Sequence, residues 1–159
     1  MADDTWRWTD AWLFVAVIIA NGAGRHRRSP STRRPEGIRI ADVMVTAHHL
    51  HQALPTRHDI EQAIRRLAGM GLITVNDGWI QVLPAGAELW RNRPRNGLSA
   101  VVDTIYTALT RLGPPREADW HLAEDEHRAA VHEFRLRRAL PTPRRSTLER
   151  IGRTGQGTM

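Results

Sequence analysis

The chain has 159 residues, 23 basic side chains against 17 acidic ones, a net charge of +6 and no cysteine. Without cysteine there is no disulfide framework and no thiolate chemistry. The length suits one domain with tails, long enough to bury a core. All the basic residues are arginine, which pairs with phosphate and carboxylate better than lysine does.

In chain order, residues 1–8 form an N-terminal segment carrying Trp6 and Trp8, both expected to be exposed. Thr9 or Asp10 caps a first helix over about 10–21, with Trp8 and Leu13 in hydrophobic-staple positions. That helix is apolar nearly all round and should be buried on most sides. Its apolar run, Ala11 to Ala20, is about half of the ~20 residues that a bilayer requires. Asp3 and Asp4 before it, with Arg7 the only basic side chain there, argue against a signal peptide. No membrane span and a cytoplasmic location are therefore expected.

Residues 25–37, RHRRSPSTRRPEG, read as a mobile Arg-rich loop without apolar residues for a core. Its arginines could contact a DNA backbone, or it could be a plain surface insertion. Ile40, Val43, Met44, Ala47 and Leu50 fit a helix from about 39 to 53. Pro55-Thr56 starts the next, over 57–69: Thr56 is the N-cap, and Asp59 completes a near capping box. Ile60, Ala63, Ile64 and Leu67 make its apolar stripe, and Gly69 and Gly71 offer a left-handed end. Arg65 falls off that stripe, which predicts a solvent-facing head.

Leu72–Val75 and Trp79–Val82 read as two strands around Asn76-Asp77-Gly78, residues that tolerate positive φ in a hairpin turn. Of Trp79 and Ile80, one should face the core. Pro84 and Gly86 open a helix over about 85–92. Further helices are expected over about 98–112, and over about 122–139 with Ala123, His127, Ala130, Val131 and Phe134 on its apolar face and Trp120 at its start. From Leu140 onward Pro, Arg, Thr and Gly read as a disordered tail over 140–159.

The run from Pro55 to Leu89 resembles the third helix, wing and following turn of winged helix-turn-helix domains. The resemblance is to bacterial regulators of the MarR and PadR kinds. It rests on Leu67-Ala68-Gly69-Met70-Gly71-Leu72-Ile73, on the Asn76–Gly78 tip and on Pro84-Ala85-Gly86, and it covers about residues 38–90. It implies an α+β, mainly α fold: a winged-helix domain over 9–92 with a two-stranded wing, and a helical extension over 93–139. It also implies a DNA-binding regulator whose recognition helix is 57–69. Arg57, His58, Gln62, Arg65 and Arg66 would then contact DNA, while Arg25, Arg27, Arg28, Arg33 and Arg34 would bind phosphates without sequence preference. The wing tip departs from the resembled regulators, since it carries Asp77 and no arginine. A winged helix can also be a protein-interaction module without DNA binding, using Trp6, Trp8 or the C-terminal helices. Those helices are candidates for a homodimer interface.

Charge is unevenly spread. Residues 25–40 carry +5, residues 101–134 carry −4 and residues 135–159 carry +6, leaving 41–100 at +1. A basic chain attracts nucleic acid or anionic surfaces.

Material for chemistry is sparse. His48, His49, His51 and His58, even with Asp42 or Asp59, show no recognised metal-ligand spacing. Glu124 and His127 form one Glu-x-x-His where di-iron bundles need two. There is no Gly-x-Ser-x-Gly elbow, and Gly22-Ala23-Gly24 follows a helix, where phosphate-cradling loops follow a strand. Neither catalysis, nor a metal, nor a cofactor is expected.

Overall fold

The structure, a computed structural model, describes residues 4–22, 37–93 and 101–139. Its helices are α1 (Trp8–Ala20), α2 (Ile40–His51), α3 (Arg57–Gly69), α4 (Pro84–Arg91), α5 (Val101–Arg111) and α6 (Glu124–Ala139). One antiparallel pair, β1 (Ile73–Asn76) and β2 (Trp79–Val82), lies between α3 and α4. The fold is α+β and mainly helical. The expected Arg-rich loop and the 140–159 tail fall outside the described residues, as does the expected start of α5 at residue 98.

The core is built around α1. Every side chain from Asp10 to Ile18 is buried, because α2, α3 and α5 pack around it. Its start differs from expectation. The helix begins two residues earlier than a Thr9 cap allows, and Arg7 stands at the N-cap position with its N–H donating to Asp10 Oδ2 at 2.8 Å. Trp6 is buried, not exposed, and donates from Nε1 to the carbonyl of Gly113 at 2.9 Å. Trp8 is half-buried, stacks on Trp12 and meets the His51 ring at a tilt of 58°. A large apolar ring near a helix start thus finds a surface, where the sequence offered no contact to assign it.

The capping box before α3 forms as expected. Asp59 N donates to Thr56 Oγ1 at 3.1 Å and Thr56 N donates to Asp59 Oδ2 at 3.0 Å. Asp42 does the same work for α2, accepting from the N–H of Arg39 at 2.9 Å. Beyond α3, Gly71 takes the left-handed conformation and Gly69 does not. The hairpin is tight: Asn76 pairs with Trp79, so only Asp77 and Gly78 form the loop, at φ 49° and 78°. Ile80 is fully buried and Trp79 only half-buried, in line with the expected alternation. Just before α2, Ile38 makes a bridge to Ile80, donating to its carbonyl at 2.9 Å and accepting back at 2.7 Å. Gly37 allows that approach, since a Cβ there would meet Ile80 O at 2.3 Å.

The apolar faces of the last two helices fold back on the same chain. Ile105 and Leu109 of α5 are fully buried against the core that α1 leads, and Ala130 and Phe134 of α6 are buried where α6 meets α2. Ile105, Leu109, Ala130 and Phe134 are thus covered within one molecule, while Leu112 and Leu136 stay exposed at 46 % and 54 %.

Candidate nucleic-acid interface on α3

On α3, Arg57, Glu61, Arg65 and Gly69 follow one another at four-residue steps and so make one ridge along the helix. The chain itself lies on that ridge. The α5–α6 connection, residues 112–123, has no regular structure and runs antiparallel to α3. At the far end, Gly69 has no side chain, and a Cβ there would stand 1.9 Å from the carbonyl oxygen of Arg116. Next, Ala118 N donates to the Arg65 carbonyl at 2.8 Å. The Arg65 guanidinium donates to the Trp120 carbonyl at 3.4 Å and to Glu117 Oε2 at 3.3 Å, and lies 3.2 Å from His121 Nδ1. At the near end, Arg57 Nη1 donates to the Leu122 carbonyl at 2.9 Å, and Leu122 N donates to Glu61 Oε2 at 2.8 Å. Leu122 is buried at 1 % exposure, so this end of the connection is anchored by an apolar side chain.

The expectation that Arg65 points to solvent is corrected by this arrangement: its head is held by oxygens of the connection. Arg66 is also corrected. It is 1 % exposed, and its Nη1 donates to the equally buried Asp10 Oδ2 at 2.9 Å. Arg66 therefore ties α3 to α1 and presents nothing to a ligand. Of the other α3 candidates, Arg57 keeps about half of its side chain exposed at 47 %, His58 is exposed and Gln62 is half-buried. Arg25, Arg27, Arg28, Arg33 and Arg34 lie outside the described residues.

The surroundings of the ridge are acidic. Glu117 and Asp119 sit on the connection and Glu124, Asp125 and Glu126 on the first turn of α6. The hairpin tip adds Asp77, and a Cβ on Gly78 would stand 3.4 Å from Glu126 Oε1. His127, half-buried in α6, has its pKa lowered from the ordinary 6.5, first by burial and then by the charge of Arg57. The histidines of α2 are separated by their packing: His48 meets the ring of Phe134, and His51 meets Trp8 and Trp12. Among the described residues no group of three or more His, Asp or Glu is placed to hold a metal ion, and no helix is long and apolar enough to cross a membrane.

Glu61, Glu117, Trp120 and Leu122 hold this arrangement together with Arg57 and Arg65, and the sequence singled out none of the four as a site residue, Trp120 only as the start of the last helix. The available signals were Gly69 on the polar ridge of a helix, and a non-periodic stretch holding two large apolar residues that need a surface. Comparison of the chain with protein-family models, with curated proteins and with solved structures finds no match.

Proposed function

We propose that this chain is a winged-helix, regulator-like protein that binds double-stranded DNA, and that its first grip on DNA is electrostatic. The observation that carries the reading is the segregation of charge. The described residues hold thirteen arginines against fourteen acids, whereas the remaining residues hold ten arginines against three. The described residues are close to neutral, and the basic excess lies in the sequence stretches 23–36, 94–100 and 140–159. Such segments bind phosphates and release counterions without reading bases. The winged-helix assignment is supported by the order of α1, the Ile38 bridge, α2, α3 and the hairpin β1–β2. The reading assigns no catalysis and a cytoplasmic location. It does not need a homodimer through α5 and α6, whose Ile105, Leu109, Ala130 and Phe134 are buried within the molecule.

The test is fluorescence anisotropy on a random duplex at two salt concentrations. If the five arginines between 25 and 34 each meet a phosphate, a slope of about −0.9 per contact lowers affinity roughly 500-fold between about 50 and 200 mM salt. Absence of binding at the lower salt overturns the reading. A specific observation then favours the interaction-module alternative: the α3 ridge is already covered, and the hairpin tip beside it is acidic.

A further inference from the structure

We propose that the α5–α6 connection is a mask on α3: in the closed form it occupies Arg57 and Arg65 with its own oxygens, and DNA phosphates displace it. The inference rests on the DNA-binding reading above. Every group that the two guanidiniums meet on the connection is an acceptor: the carbonyls of Leu122 and Trp120, the Glu117 carboxylate and the ring nitrogen of His121. A phosphate chain offers oxygen acceptors too, each group with full charge and a geometry that the planar guanidinium can meet with two parallel N–H groups, whereas the carbonyls of Leu122 and Trp120 are neutral. Closed, the connection covers Arg65, leaves Arg57 half exposed and adds repulsion, since Asp119 faces outward with its side chain fully exposed. Open, it would leave Arg57 and Arg65 within reach of a ligand beside His58 and Gln62, with Glu61 between the two arginines and free to pair with Arg57 at i, i+4. No helix or strand stiffens the connection between Gly113, at φ 90°, and the start of α6, so opening it breaks contacts with α3 and no secondary structure of its own. Trp6 pins the Gly113 end and Leu122 the other, so the closed form dominates without DNA.

Gly69→Ala tests the mask. Alanine favours the helix more than glycine does, yet its Cβ would collide with the Arg116 carbonyl. The variant therefore keeps α3 and lifts the connection. Apparent affinity scales with the open fraction, so Gly69→Ala should bind a random duplex on the order of tenfold more tightly than wild type at equal salt. Adding Arg65→Ala should abolish that gain. Wild-type protein supplies a second readout that no folding defect can blur. The amides of Ala118 and Leu122 donate to Arg65 O and Glu61 Oε2, and their hydrogen exchange should quicken when duplex DNA is added. Slowed or unchanged exchange at these amides in DNA-bound wild type overturns the mask, as does a Gly69→Ala protein with faster exchange there but no gain in affinity. In both cases salt-dependent binding by wild type leaves the DNA-binding reading standing. If neither protein binds at about 50 mM salt, both proposals fall.

Discussion

Arg66 and Asp10 are the sharpest case of a charged residue whose role depends on partners far along the chain. Asp10 accepts both the N–H of Arg7 and the guanidinium of Arg66, so one carboxylate starts α1 and ties it to α3. Removing one member of a buried ion pair leaves the other charge without compensation, which costs about 3–5 kcal/mol. Arg66 Nε also lies 3.8 Å from Glu117 Oε1, so Asp10→Ala should lose somewhat less than that in urea unfolding, and the double variant Asp10→Leu with Arg66→Met should regain part of it, because an apolar pair needs no charge partner. His127 gives a pH prediction. Burial and Arg57 favour its neutral form in the fold, so the unfolded chain takes up this proton first as pH falls. The stability held by the neutral ring is fully present above pH 6.5 and is lost below it. Urea midpoints compared at about pH 7.5 and 5.5 should therefore fall less in His127→Gln than in wild type. Sequence reading placed His127 on the apolar face of the last helix, and it is half-buried there. It could not see that Arg57, seventy positions earlier, stands close enough to repel its proton. The same blindness misplaced Arg65: helical spacing shows which side of a helix a residue takes, not what arrives later to cover that side.

At the scale of elements, local signals were reliable. The Thr56–Asp59 box, the Pro84 start of α4 and the Asp77-Gly78 turn all rest on contacts within a few residues, and all formed within one or two residues of where the pattern put them. The turn makes its own prediction. Gly78 stands at φ 78°, where a β-branched side chain is strained. Gly78→Val should lower stability by about 1 kcal/mol or more, seen as a fall in melting temperature; an unchanged melting temperature would argue against the assigned turn. Gly86 marks a different requirement. Its Cβ would meet the Leu72 carbonyl at 2.3 Å, so this glycine allows α4 to close against the strand start, and Gly86→Ala should destabilise the hairpin although alanine favours helix. What the elements did not reveal was the α5–α6 connection. It has no period, and its order comes from α3 and not from itself.

For the molecule as a whole, α5 and α6 turn Ile105, Leu109, Ala130 and Phe134 onto the core and leave Leu112 and Leu136 exposed as single residues, not as a continuous face, so light scattering at micromolar concentration should report a monomer. Burial of Ile105 and Leu109 on α1 also bears on how the chain is made. A ribosome delivers α1 first and α5 only about ninety residues later, so the most apolar helix of the protein waits for its last neighbour through most of synthesis. Pairings so distant in sequence close slowly and leave apolar surface bare in the meantime. A fragment ending at residue 93 would keep α1, α2, α3 and the hairpin, yet carry an uncovered flank on α1. Nascent chains stalled before α5 emerges should therefore be the species that chaperones hold, and release should follow the arrival of Ile105 and Leu109.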